Sequence, residues 1–170
     1  MRLRLSLTAA VCLTLAHAAS AQVRDTLPSH ARQFITGGPL QWWGDTRAAL
    51  IARFGPPDST QSRIRRNAYD TLSIDTVVTH HYAGATFVYY VASSLHRDLF
   101  EEATVWAPQY LDESPLKLGA TVAVVRTYFA DASHGSTPLM VYEAGELATR
   151  LELWFTDDRL VRLRWQYPID

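Results

Sequence analysis

Alternating apolar and polar positions mark several stretches of the chain. Apolar or aromatic side chains fall mainly on every second position in residues 72–82 and on both sides of the pair Asp157 and Asp158. Residues 87–91 are β-branched or aromatic throughout. Both patterns are typical of β-strands. We therefore predict antiparallel strands here, with Asp157 and Asp158 as the solvated turn of a hairpin that has one apolar and one polar face.

A short helix is predicted between Asp45 and Gly55. Leu50 and Phe54 recur at helical spacing, and Asp45 or Thr46 can accept hydrogen bonds from the free backbone N–H groups of the first turn. Gly55 ends the helix because glycine readily adopts the left-handed conformation that closes many helices. A helix this short is not stable alone, so it must pack on the strands. The fold class predicted from these elements is α+β.

The sequence around this helix occurs twice. Residues 44–54 align without a gap with residues 119–129, which places a second helix start at Thr121. Later matched positions are Tyr82 with Tyr142 and Trp106 with Trp165. We predict two tandem repeats, 41–112 and 113–170, each a short helical segment packed on one face of an antiparallel β-sheet. The pattern fits two separate sheets or one continuous sheet.

The start of the chain has a different character. Two arginines precede an apolar stretch that ends in the small residues 19–21, the features of a signal peptide and its cleavage site. We predict a signal peptide at 1–21 and a flexible leader at 22–40, in which residues 37–39 (Gly-Gly-Pro) disfavour regular structure. The predicted location is therefore periplasmic or secreted.

Cys12, the only cysteine, falls inside the predicted signal peptide. A lipoprotein would carry its acyl chain on Cys12, but Val11 stands where a small residue is expected. The exported chain would then have no disulfide and no thiol chemistry. No later apolar run reaches the roughly 20 residues that span a bilayer, so we predict no integral membrane span.

Charge excludes one class of partner. Sixteen Lys and Arg face seventeen Asp and Glu, a formal net charge of −1. Because no broad basic surface is available to release counterions from a phosphate backbone, we predict no nucleic-acid partner. Arg63, Arg65 and Arg66 gather in residues 58–70, which we predict to be a solvated loop that can contact an acidic partner.

Enzyme motifs are absent from the sequence. It contains no zinc-protease, nucleophile-elbow, phosphate-loop or dinucleotide-binding pattern. His80 and His81 are neighbours on a predicted strand and point to opposite faces, so they cannot hold one metal ion together. We predict no catalytic residue, no metal ligand and no cofactor. The alternative is a small hydrolase or metal-dependent enzyme whose pocket would gather several of His80, His96, His134, Asp131 and Glu143.

Candidate partner-binding residues come from the polar face of the predicted strands. If Leu151 and Phe155 face the helix, Trp154 stands on the opposite face near Arg162 and Arg164. The repeat makes Tyr90 its counterpart. Tyr90, Trp154, Arg162 and Arg164 are therefore the predicted binding residues, because aromatic and Arg side chains dominate protein-binding hot spots. The alternative is a solvated surface on which Arg stems merely lie over Trp154.

These features resemble a known family. A repeated unit that opens with G-x-T, ends its helix near F-G-x-P and closes on a hairpin looks like the β-lactamase-inhibitor protein fold, over about residues 40–170. It is also similar to the SmpA/OmlA class of outer-membrane assembly lipoproteins, which carry one copy of such a unit. Two departures are Ala130-Asp131 in place of Gly-Pro and the absence of the inhibitors' disulfides. A fainter resemblance, to the GWxTD domain through residues 53–58, does not account for the second copy.

The resemblance implies a function. In the inhibitor family the sheets form a concave surface that grips a partner protein. We therefore expect an exported, non-catalytic module that binds another exported or envelope protein, without strong inhibition of β-lactamases. The alternative from the single-copy relatives is an outer-membrane or envelope assembly factor.

Overall fold

Seven antiparallel strands form the framework of the protein. The computed structural model describes residues 27–67, 73–130, 138–146 and 148–169, so the predicted signal peptide lies outside the described residues. The strands are β1 Ser59–Arg66, β2 Ile74–Tyr82, β3 Ala85–Ala92, β4 Arg97–Val105, β5 Leu139–Ala144, β6 Thr149–Thr156 and β7 Arg159–Gln166. The helices are α1 Ser29–Trp43, α2 Arg47–Phe54 and α3 Val122–Tyr128, with 3-10 turns at Ser93–Leu95 and Pro108–Leu111. The predicted α+β class is confirmed.

The strands form one continuous sheet in the order β1-β2-β3-β4-β7-β6-β5. Each of β2–β4 and β5–β7 is a meander, in which consecutive strands pair as neighbours. The two meanders meet where β4 pairs with β7, from Glu102 opposite Gln166 to Val105 opposite Leu163. Residues 157–158 form the β6–β7 turn as predicted, exposed and with φ values of 48° and 62°. Two positive φ angles match the right-handed twist of a hairpin.

All three helices pack on the same face of the sheet. Leu50 of α2 and Val125 of α3 join side chains from that face in one apolar cluster. Trp165 of β7 is fully buried there, whereas Trp106, just after β4, is 46% exposed. The sequence match between these two tryptophans therefore does not hold in space. None of the described helices has the length and apolar character needed to cross a bilayer.

The prediction of a flexible leader at 22–40 is wrong for residues 29–40. They belong to α1, which buries Phe34 and Ile35 in the core. Gly38 leaves room for the Trp42 ring, which would lie 2.9 Å from a Cβ at this position. Burial of an apolar helix face therefore outweighs the helix-breaking tendency of Gly-Gly-Pro.

The predicted starts of the two short helices are confirmed. Thr46 accepts a hydrogen bond from the backbone N–H of Ala49, and Thr121 accepts one from Val124. Each bond satisfies a donor that the first turn of a helix leaves free. Gly55 ends α2 as predicted, although with φ of 81° and ψ of −177° it adopts an extended positive-φ conformation open to glycine and not the left-handed helical one.

The prediction of a loop over residues 58–70 is also wrong for most of its length. Ser59–Arg66 form β1, which pairs along its whole length with β2. Every residue of β1 except Arg65 is exposed. The strand shows no apolar alternation because it is an edge strand that buries little on either face.

Each meander carries a bulge in its last strand. In the first, Val88 lies opposite Glu102 and Tyr89 opposite Phe100, so Glu101 has no partner. In the second, Trp154 lies opposite Arg162 and Phe155 opposite Leu160, so Val161 has none. The extra residue shifts the pairing of the two strands by one position, and it increases the local twist of the sheet.

Candidate binding face

The sheet face opposite the helices is the candidate functional surface, and we call it the open face. Its side chains follow from the register, because residues directly opposite each other on paired strands point to the same side. The aromatic and charged side chains on this face include Arg63, Arg65, Asp75, Tyr90, Glu102, Arg150, Glu152, Trp154, Arg162 and Arg164. The sequence correctly placed Tyr90, Trp154, Arg162 and Arg164 on one face.

A band of ion pairs crosses the centre of the open face. Arg164 on β7 contacts Glu102 on β4 at 2.6 Å and Glu152 on β6 at 3.6 Å. Arg150 contacts the same Glu152 at 2.9 Å and Glu143 on β5 at 3.9 Å. We call these five residues the charged band. It links four adjacent strands.

Arg164 is therefore held inside the protein's own network. The hydrogen bond to Glu102 is the largest influence that raises the pKa of Arg164, and the carboxylates of Glu102 and Glu152 add to it. Glu152 is 9% exposed at its side chain and needs its arginine neighbours to offset desolvation. Arg164 is a poor anchor for a partner, because binding one would remove the cation from these two acids.

Trp154 and Arg162 form the second feature of the open face, which we call the Trp154 corner. The Arg162 guanidinium lies 4.2 Å from the centre of the Trp154 ring, within the range of a cation–π contact. None of the described helices covers Trp154, which is half-buried, and Arg162 is exposed. Arg162 forms no ion pair with the described residues. The outer surface of this pair remains available.

Tyr90 is buried, in contrast to Trp154, and we call Tyr90 with Asp75 and Arg65 the Tyr90 corner. Its side chain is 7% exposed, its hydroxyl donates to the Asp75 carboxylate, and the Arg65 guanidinium lies 5.2 Å from its ring centre. Arg65 is itself tied to Glu101 at 2.9 Å. The predicted role of Tyr90 as an accessible binding residue does not fit this burial.

Mutual hydrogen bonding perturbs both groups at the Tyr90 corner. The Tyr90 hydroxyl, then the backbone N–H of Ser93, lower the pKa of the Asp75 carboxyl below its ordinary value. The same contact with Asp75 raises the pKa of Tyr90. Hydrogen bonds to a carboxylate favour its charged form. Asp75 and Tyr90 thus form a small polar unit that fixes the ring in place.

The two corners lie at opposite ends of the open face. Tyr90 pairs with Leu99 near the start of β4, and Trp154 pairs with Arg162 near the start of β7. Because β4 and β7 are antiparallel, their starts are at opposite ends of the sheet. Three strand spacings across, about 14 Å, and about 20 Å along the strands separate the two rings. They cannot form one compact hot spot.

The described histidines do not assemble a catalytic pocket. His80 and His81 point to opposite faces as predicted: His80 Nδ1 lies 2.9 Å from Thr60, and His81 Nδ1 lies 3.5 Å from Thr86. Burial is the largest effect lowering the pKa of His80. Glu143 lies on β5, five strands away.

The remaining groups of the predicted pocket are also apart. His96 is exposed at the end of a 3-10 turn, and Asp131 and His134 fall outside the described residues. Within the described ranges, no three metal-ligating side chains of His, Cys, Asp or Glu come together.

The charged band is the feature that sequence reasoning missed. Part of its signal was visible, because Arg150 and Glu152 alternate on β6 as Arg162 and Arg164 do on β7. Glu102 could not be assigned to this band from the sequence, because β4 was not predicted as a strand. Beside the band, a cleft of about 370 Å³ is lined in part by Arg65, Glu101 and Gln166.

Comparisons with family models, with curated proteins and with solved structures find no match for this chain.

Proposed function

We propose that this protein is an exported, non-catalytic binding module that uses the Trp154 corner to contact another exported or envelope protein. One observation carries the proposal. Trp154 and Arg162 stack on a sheet face that is free of the three described helices, with their outer surfaces accessible. Trp and Arg are the side chains most enriched among residues that dominate binding energy.

The neighbours of this corner suit the edge of an interface. The charged band pairs its carboxylates with its own guanidiniums, so it can lie beside a partner without leaving a buried charge unpaired. Interfaces commonly surround a few anchors with a polar, hydrated rim. The Trp154 corner supplies the anchor, and the charged band supplies part of the rim.

The proposal includes a tandem repeat, in which the β2–β4 half and the β5–β7 half derive from one unit. Three matched features support it. Thr46 and Thr121 cap their helices three residues ahead in the same way. Tyr82 and Tyr142 pair with the strand that follows each. A bulge follows in the last strand of each half. Joining two such units edge to edge produces an open face wider than either unit has.

Site-specific photocrosslinking in producing cells tests this function. A photoreactive amino acid at position 154 is compared with one at Ile51, which is 38% exposed on the helical side. We expect a discrete crosslinked partner from position 154 and none from position 51. Equal labelling at both positions would mean that the open face is not the contact surface.

Affinity for the crosslinked partner then separates binding from proximity. Trp154→Ala and Arg162→Ala should each weaken it, with at least a tenfold loss for Trp154→Ala, because truncating an aromatic anchor costs about 2 kcal/mol or more. Ile51→Ala is the matched control and should bind normally. Full affinity in Trp154→Ala would refute the proposed anchor.

A further inference from the structure

The free edge of β1 carries a feature that the open face does not explain. The Asn67 N–H donates to the Ser73 carbonyl across the β1–β2 register. Antiparallel pairs alternate between bonded and non-bonded, so the residues at positions 65, 63 and 61 bond to β2. The backbone groups of Ser62, Ile64 and Arg66 therefore point away from the sheet.

Side chains along this edge are unusually open. Ile64 is 75% exposed, although it is a large β-branched residue in a strand. Arg63 and Arg66 are exposed and form no ion pair with the described residues, while Arg65 is engaged by Glu101. Ile64, Arg63 and Arg66 thus flank a row of backbone donors and acceptors that no described residue outside β1 uses.

We infer that β1 accepts an extended segment of a partner protein as an eighth strand, and that this segment alternates acidic and apolar residues. An added strand places one set of its side chains on each face of the sheet. Acidic residues on the open face would lie beside Arg63, and apolar residues on the other face would lie beside Ile64. Backbone hydrogen bonds to Ser62 and Ile64 supply affinity, and the side chains supply selectivity.

Charge argues against a second copy of the chain as the occupant. Two β1 strands pairing with each other would bring the unpaired Arg63 and Arg66 of both copies together. Like charges on adjacent strands are destabilising, and charged edge strands commonly prevent self-pairing. Arg63, which shares the open face with Arg65, instead favours acidic residues on that face of an added segment.

This site is independent of the proposed function at the Trp154 corner. Five strand spacings, about 24 Å, separate β1 from β6. A failure of one site therefore leaves the other untouched.

The test uses a fluorescently labelled eight-residue peptide of alternating Glu and Val, titrated with the full-length protein in an anisotropy assay. We expect the anisotropy of the peptide to rise and reach a plateau at protein concentrations of about a millimolar or below. A peptide of alternating Lys and Val should bind at least tenfold more weakly. The absence of binding, or equal binding of both peptides, would overturn the inference.

Two variants test the site. Arg63→Glu should weaken binding at least tenfold, and Arg97→Glu, which changes an exposed arginine at the start of β4, should not. Ser62→Pro should also abolish binding, because it removes an outward N–H but no donor to β2. Unchanged thermal unfolding of Ser62→Pro verifies its fold. Binding that survives both Arg63→Glu and Ser62→Pro would place the peptide elsewhere.

Amide hydrogen exchange distinguishes strand addition from simple charge attraction. Peptide binding should slow exchange of the Ser62 and Ile64 amides by at least tenfold. Binding without protection of these amides would overturn the added strand. Sedimentation of the protein alone tests whether a second copy binds to β1 instead. A dimer that dissociates in the Ser62→Pro variant would show that a second copy occupies this edge and would overturn the inference.

Discussion

The Tyr90 corner and the Trp154 corner occupy the same face of one sheet but differ in access. Each holds an aromatic ring beneath an arginine, at 5.2 Å for Arg65 over Tyr90 and 4.2 Å for Arg162 over Trp154. Tyr90 is nevertheless buried, whereas Trp154 is half-exposed. Stacking of an arginine on a ring therefore does not by itself decide whether the ring can meet a partner.

The difference comes from what holds each arginine and each ring. Arg65 is pinned by Glu101, Tyr90 is bonded to Asp75, and Ile169 near the end of the chain packs against the same small cluster. Arg162 has no such acidic partner among the described residues. One corner is thus a structural element of the sheet, and the other is the surface to which we assign the proposed contact.

Truncating each ring should give the largest contrast in stability. Tyr90→Ala should lower the free energy of unfolding by about 3 kcal/mol, because it removes a buried ring and leaves a cavity. Trp154→Ala should lower it by about 1 kcal/mol or less, since its ring is already partly hydrated. Urea unfolding followed by circular dichroism measures both. Equal losses in the two variants would remove the distinction between the corners.

A pH series isolates the polar unit at the Tyr90 corner. The pKa of Asp75 in the folded protein is below its unfolded value, so the ionised carboxylate stabilises the fold above about pH 4. This contribution is lost as the pH falls through the folded-state pKa. Tyr90→Phe removes the donor with the largest effect, so it should be less stable than the native protein at pH 7, and the gap should narrow below pH 4.

Unfolding curves between pH 2 and pH 7 check this expectation. Trp154→Phe serves as the control, because its difference from the native protein should stay constant with pH. A gap for Tyr90→Phe that persists unchanged to pH 2 would show that Asp75 draws its stabilisation from other donors.

Local signals were sufficient to predict part of the fold from the sequence. The caps at Thr46 and Thr121 and the turn at 157–158 depend on residues a few positions apart, and the structure has all three. The alternation along β2, β6 and β7 likewise reflects one buried face. Such features need no knowledge of distant parts of the chain.

The elements that were missed depend on distant partners. Residues 37–39 disfavour a helix locally, but α1 gains more from burying Phe34 and Ile35 beside the sheet. β1 and β4 are rich in charged residues, some of which pair with distant strands, as Arg65 does with Glu101. Polar strands of this kind have the sequence pattern of loops, so they can be recognised only when the strands beside them are known.

The same limit applies to the candidate site. Alternation placed Tyr90 and Trp154 on one face, which is correct. The burial of Tyr90, however, depends on Asp75, Arg65 and Ile169 from other parts of the chain, which no spacing rule relates to Tyr90. The face to which a side chain points is a local property of its strand, whereas its exposure to a partner depends on the assembled sheet.

The smallest expected effect is the loss of the cation–π contact between Arg162 and Trp154, and it tests the difference between the two corners most directly. An exposed cation–π pair contributes about 0.5 kcal/mol, so Arg162→Ala should reduce stability by about that amount. A double-mutant cycle with Trp154→Ala isolates the pair, provided that each single change removes only this contact. The coupling should be near 0.5 kcal/mol, because no acidic group among the described residues fixes Arg162. A coupling above about 1.5 kcal/mol would mean that Arg162 and Trp154 form a rigid unit like Tyr90 and Asp75, and that the two corners differ in exposure alone.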